Sequence, residues 1–213
     1  MVEKNLLEEL DIISKIILDA KSSFDVVLTL NNENHKKVAL INHEKISSDF
    51  FRFVEANFFR ITIIELFKLF SYNTNDYYSF YSLRNRFSPG QSYETVKMSK
   101  DTMKNLKLLL KQSTETITKL SHIRNKVYAH KDKDFKNYIG IIDIQEINSL
   151  ISISKSIFNI FYQEAFEKEY YFDYPLATPL DSLEHLLEKI EFYNVNYETV
   201  MMQKYDKRNF GSS

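Results

Sequence analysis

The 213-residue chain has no cysteine and no tryptophan, and it contains only 3 glycines and 3 prolines. Without cysteine it can form no disulfide and can carry no thiol nucleophile, which is typical of a protein in a reducing compartment. Because sheet proteins of this length need many turn residues, the shortage of glycine and proline favours a few long helices. The same shortage nearly excludes the glycine-rich loops that bind nucleotide phosphates.

Long hydrophobic runs are also missing. The most apolar stretch, residues 61–70, contains Glu65 and Lys68, so it falls short of the ~18 uninterrupted apolar residues that a membrane span requires. The first residues, MVEKNLLEELD, lack the layout of a signal peptide. We therefore predict a cytoplasmic protein without a membrane partner.

The net charge of −1 conceals an uneven distribution. Between Val96 and Lys136 the chain has 11 lysines and arginines against 4 acidic residues, whereas the rest has 17 against 25. A local positive field favours a ligand that carries phosphate. The alternative is a solvated helix face on which the lysines point outward.

Apolar residues recur at steps of three and four, the period of amphipathic helices. The pattern predicts helices at about residues 4–31, 44–71, 99–129, 143–170 and 178–192, with a shorter one near 78–87. The second of these is apolar on nearly every side, which is typical of a central helix. We predict an all-α fold, an up-and-down bundle of four long helices plus a C-terminal helix. It would form one domain over residues 1–204, followed by a flexible tail at 205–213.

One arginine interrupts the apolar line of the third helix. Arg124 lies between Leu120 and Val127, where the pattern requires an apolar residue, and an unpaired buried guanidinium is very unfavourable. Three interpretations are open. Arg124 pairs with an acid inside the bundle, for which Glu65 on the central helix is the candidate; or the line opens there into a cleft or an oligomer interface; or the helix ends early.

His130 follows Arg124 by six residues. On an ideal helix this spacing places the two side chains about 240° apart around the axis and about 9 Å apart along it. For both to reach one phosphate, the chain must leave the helix near Tyr128 and Ala129, or a second subunit must supply one of them.

Signatures of other enzyme classes are absent, including the HExxH zinc motif and the GxSxG nucleophile elbow. The stretch from His130 to Asp134 alternates possible metal ligands with lysines, and the lysines oppose a divalent cation. We predict neither a metal site nor a cofactor.

The segment RNKVYAHKD, from Arg124 to Asp132, resembles the Arg-x(4–6)-His signature of HEPN domains. The fuller string is most similar to the AbiU-type abortive-infection branch, in which an Arg, polar, Lys run leads to Ala-His and a nearby Asp. The upstream segment IIELFKLFSYNTNDYYSFYSLRNRF is also similar to that branch. The resemblance covers about residues 45–135.

The resemblance implies a helical bundle that dimerises, so that two motifs meet in one cleft, and an activity as a metal-independent ribonuclease in antiphage or toxin–antitoxin defence. It implies that Arg124 and His130 are catalytic, with Asn125 beside them, and that an antitoxin partner is possible. RNA supplies its own 2′-OH nucleophile, a histidine can move the proton, and an arginine can stabilise charge on the phosphate. The residues expected to support this set are Glu65, Lys126, Tyr128 and Asp132.

Asp132 marks a departure from the family pattern, because some HEPN toxins carry there a tyrosine that a partner nucleotidyltransferase modifies. Other HEPN proteins keep the fold without cleaving RNA. Two hypotheses follow: a HEPN-type ribonuclease, or a catalytically silent module for dimerisation or partner binding in which Arg124 forms a buried structural ion pair.

Overall fold

The computed structural model describes residues 2–32, 38, 45–73, 75–96, 98–129, 140–172, 178–197, 199 and 201–202. These residues form helices and contain no strand, which confirms the predicted all-α class. The helices are α1 (Val2–Leu30), α2 (Lys45–Phe70), α3 (Phe80–Arg86), α4 (Lys100–Gln112), α5 (Thr114–His122), the π segment (Ile123–Ala129), α6 (Ile144–Phe166) and α7 (Pro179–Val195). None of these helices is both long enough and apolar enough to cross a membrane, as far as the described residues extend.

Two helices begin with a capping box. Asp143 accepts a hydrogen bond from the backbone N–H of Glu146 at 2.7 Å, and Glu146 accepts one from Asp143 at 3.0 Å. The corresponding pair before α7 is Thr178 and Asp181, with Pro179 as the first helical residue. Because these side chains satisfy backbone N–H groups that have no partner within the helix, they fix where α6 and α7 begin.

The third predicted helix, 99–129, is divided into three parts. The hydroxyl of Ser113 donates to the carbonyl of Leu109 at 3.0 Å, and the backbone of Ser113 leaves helical geometry at φ −91°, ψ 2°. A serine hydroxyl that bonds back to the preceding turn competes with the backbone and bends a helix. The prediction of one continuous helix was therefore wrong at Ser113, and it was wrong again at Ile123, where α-helix gives way to π-helix.

The chain divides into two compact units, residues 1–24 with 57–174 and residues 25–56 with 175–213. In the first unit, α4 and α5 run antiparallel to α6. Thr102 near the start of α4 donates to Glu164 near the end of α6 at 2.7 Å, and Lys119 of α5 donates to Glu146 in the first turn of α6 at 2.6 Å. Fully buried aromatic side chains fill the core of this unit: Phe24, Phe70, Phe80, Phe158 and Phe161.

The second unit has its own buried residues. Among those described they are Val26, Val27, Val38, Phe51, Leu183 and Leu187. The single domain over residues 1–204 stays a prediction, and the predicted tail at 205–213 lies outside the described residues.

Candidate functional site

The motif residues lie in the π segment, Ile123–Ala129, which follows α5 without a break. Short π-helical turns are rare, and they occur frequently at functional sites. The wider turn shifts the buried line of the helix: Leu120 and Ile123 are buried, whereas Arg124 and Val127 are half-buried. The sequence placed Arg124 on the buried line itself. The structure corrects this, since Ile123 takes that place and Arg124 lies beside it.

Two neighbours hold the side chain of Arg124. Its guanidinium carbon lies 4.7 Å from the centroid of the Phe67 ring of α2, and its Nη1 donates to Oδ1 of Asn125 at 2.8 Å. A guanidinium has five N–H donors, and the contact with the ring face uses none of them. Arg124 is thus held by a ring and an amide, neither of which is charged, and no carboxylate among the described residues forms an ion pair with it.

Glu65, the predicted partner of Arg124, is engaged elsewhere. Both of its carboxylate oxygens accept from Nζ of Lys68 at 2.6 Å, one turn further along α2. Positions 65 and 67 point about 200° apart on a helix, so the face that presents Phe67 to Arg124 turns Glu65 away. Of the three interpretations that the sequence left open for Arg124, the pairing with Glu65 is therefore contradicted, because the ring of Phe67 lies where that acid was expected.

A second arginine–aromatic contact accompanies the first. The guanidinium carbon of Arg60, on α2, lies 5.7 Å from the ring centroid of Tyr128. Burial raises the pKa of Tyr128, and the charge of Arg60 opposes this shift, so the phenol stays protonated at neutral pH. Since Arg60 meets Tyr128 while Phe67 meets Arg124, α2 and the π segment run antiparallel along this contact.

Arg60 and Phe67 are site residues that sequence reasoning missed. They are seven positions apart, which places them within about 20° of each other on α2. Arg60 is a charged residue in a helix that has apolar side chains on nearly all sides. This exception to the pattern could have indicated from the sequence that the face of α2 with Arg60 and Phe67 belongs to the site.

Only some of the remaining motif residues are among those that the structure describes. Lys126 is half-buried in the π segment. His130 and Asp132 lie outside the described residues, so their roles stay predictions. No group of three or more histidine, aspartate or glutamate side chains comes together in the described part of the chain.

A buried ion pair in the first unit was not predicted from the sequence. Nη2 of Arg86, at the end of α3, donates to Glu9 of α1 and to the backbone carbonyl of Tyr77 at 2.8 Å, and its guanidinium carbon lies 3.9 Å from the Tyr77 ring centroid. The hydroxyl of Tyr93 donates to the second carboxylate oxygen of Glu9 at 2.7 Å. Burial raises the pKa of Glu9, while the bonds from Tyr93 and Arg86 lower it. The cluster ties α1 to the segments on both sides of α3.

The sequence did contain a signal for this pair. Glu9 lies three residues after Leu6 and four before Ile13, on the apolar line of α1. It is an out-of-pattern charge of the kind that singled out Arg124.

Comparison with known proteins agrees with the resemblance in the sequence. The HEPN_AbiU2 family model, described as AbiU2, matches residues 3–166, which include α1 to α6 and the π segment. Neither a curated protein nor a solved structure matches the chain at a significant level. The match covers more than half of the chain, and the chain therefore belongs to the AbiU2 family of HEPN domains, an abortive-infection-related family.

Proposed function

We propose that this protein is a metal-independent RNA endonuclease of the HEPN type that acts in antiphage abortive infection or toxin–antitoxin defence. The observation that carries the proposal is the setting of Arg124. Its guanidinium is fixed over Phe67 and bonded to Asn125, and no carboxylate among the described residues neutralises it. A fixed cation with unused N–H donors can stabilise the negative charge that develops on a phosphate in the transition state of phosphoryl transfer.

The proposed reaction uses the substrate's own nucleophile. His130 accepts the proton of a ribose 2′-OH, the 2′ oxygen forms a bond to the adjacent phosphorus, and the bond from phosphorus to the 5′ oxygen breaks. The leaving 5′ oxygen takes up a proton, and the products are a 2′,3′-cyclic phosphate and a 5′-OH end. Arg124 stabilises the added charge on the phosphate oxygens, while Asn125 holds Arg124 in position. DNA lacks the 2′-OH and is not cleaved.

A homodimer with a composite site belongs to the same proposal. In this proposal, His130 of the partner subunit serves the Arg124 of the first. A cytoplasmic location and a neutralising antitoxin complete the proposal.

The test is cleavage of RNA in EDTA by the wild type and by the single variants Arg124→Ala and His130→Ala. We expect each variant to lower kcat by about 10²–10³, the range for loss of a charge-stabilising donor or a proton-transfer group. The matched controls are Lys168→Ala and His185→Ala, both exposed and outside the π segment. They are expected to cleave as the wild type does. Equal cleavage by the wild type and both motif variants would refute the assignment of the site.

Mixing the two motif variants tests the composite site. If one subunit supplies Arg124 and the other His130, a mixed dimer of Arg124→Ala and His130→Ala regains one intact site, and activity returns on mixing. No recovery in dimers shown to have exchanged subunits contradicts the shared site, while the assignment of the two residues stands. A folded wild type that binds a protein partner but cleaves no RNA supports the silent partner-binding module instead.

A further inference from the structure

Arg60 resembles Arg124 in its surroundings. The ion pairs among the described residues of the first unit join lysines and Arg86 to carboxylates. Arg60 and Arg124 form no ion pair among the described residues, and each lies instead on an aromatic ring of the opposite segment. A ring orients a guanidinium without neutralising it or occupying its in-plane N–H groups.

The neighbouring residues on α2 provide no counter-charge for Arg60. The residues one turn away on α2 are Ala56, Asn57, Ile63 and Ile64, none of which is acidic. Arg60 is exposed to solvent. It therefore offers an oriented cation to an anion arriving from outside the protein.

The two arginines occupy different positions along the contact between α2 and the π segment. Their ring contacts are seven residues apart on α2, or about 10 Å along the helix axis, and four residues apart on the π segment. We propose that Arg60 binds a phosphate that flanks the one at Arg124, so that α2 and the π segment hold two phosphates of a single RNA strand. This inference rests on the proposed ribonuclease function and adds a substrate-binding residue to it.

The role predicts a specific thermodynamic signature. Binding a strand phosphate releases a counterion, so the logarithm of affinity falls with the logarithm of salt concentration by about 0.7 for each contact to a single strand. Loss of Arg60 should make this slope shallower by about that amount and should weaken RNA binding by about tenfold in low salt. It should raise KM for cleavage with little change in kcat, because Arg60 does not contact the reacting phosphate.

The experiment measures binding of a 2′-O-methylated RNA oligonucleotide, which has no free 2′-OH, by fluorescence anisotropy across a salt series. The proteins are the full-length wild type, Arg60→Ala, Arg60→Lys and the charge-matched control Lys168→Ala. Lys168 follows the end of α6, about 33 Å along that helix from the end that Lys119 contacts. A thermal melt by circular dichroism accompanies each variant, and the exposed position of Arg60 predicts an unchanged Tm.

We expect only Arg60→Ala to bind RNA more weakly and with a shallower salt dependence. Arg60→Lys should keep the salt dependence of the wild type because it keeps the charge. Arg60→Ala binding with the affinity and slope of Lys168→Ala overturns the inference, and so does Arg60→Lys losing the slope as fully as Arg60→Ala. If the wild type cleaves RNA while Arg60→Ala is unchanged in binding and KM, only this inference falls. If the wild type neither binds nor cleaves RNA, the proposed function falls with it.

Discussion

Replacing Glu9 with glutamine should lower the free energy of unfolding by about 3 kcal/mol. Glutamine has the size of glutamate but no charge, so the change leaves the guanidinium of Arg86 buried without its counterion. That side chain is only 9% exposed, and its Nε already has no hydrogen-bond partner in the described structure. Removing one member of a buried ion pair costs about 3–5 kcal/mol, and the contacts of Arg86 with Tyr77 place the expected value at the lower end.

The measurement is urea denaturation followed by circular dichroism, because the chain has no tryptophan for fluorescence. With a slope of about 2 kcal/mol per molar urea, 3 kcal/mol lowers the midpoint by about 1.5 M. The matched control is Glu8→Gln, one residue earlier on α1. The Glu8 side chain is 66% exposed and meets Lys4 at 3.8 Å, so its loss should change stability by less than about 0.5 kcal/mol.

A double variant tests the physical reason. Glu9→Leu with Arg86→Met removes both charges and should be more stable than either single variant, because no uncompensated charge stays buried. A midpoint for Glu9→Gln equal to that of Glu8→Gln would refute the reasoning, as would strictly additive effects in the double variant.

Three further predictions concern the site and the helix ends. Phe67→Leu removes the ring under Arg124 and should lower kcat for RNA cleavage several-fold, as expected from losing about 0.5–1 kcal/mol of cation–π contact; unchanged kinetics would show that the ring does not hold Arg124. Asp143→Ala removes the N-cap of α6 and should lower the free energy of unfolding by about 1 kcal/mol, measured in urea. Hydrogen bonds from Thr178 lower the pKa of Asp181, so this cap stabilises the fold above about pH 3.9 and loses its effect as pH falls through the lowered pKa. Titration of the Asp181 carboxyl by NMR should show a pKa below the ordinary value, and a value at or above it would contradict the cap.

The sequence indicated the helices because their apolar residues follow the helical period over many turns, and the capping residues at Asp143 and Thr178 mark two starts directly. The division at Ser113 was missed, since a serine on an apolar line fits a continuous helix equally well. Its hydroxyl bonds back to Leu109 only in the folded geometry.

The out-of-pattern test singled out Arg124, and the candidate partner it suggested, Glu65, is not the side chain that contacts Arg124 in the structure. Arg124 was singled out because a guanidinium interrupts an apolar line, and the structure gives it a specific setting on Phe67. The same test applied to Glu9 would have found the buried pair with Arg86, although nothing local connects residues 77 positions apart.

By itself, the sequence determined the helical class, the main helix boundaries and the family, because periodicity, capping and the motif string are local properties of the chain. Tertiary structure decided which side chains meet. Whether Arg124 faces an acid or a ring depends on the angular register of α2 against the π segment, and a change from α to π geometry at Ile123 shifts that register. The pairing of Arg60 with Tyr128 follows from the same antiparallel contact, which only packing between distant segments creates.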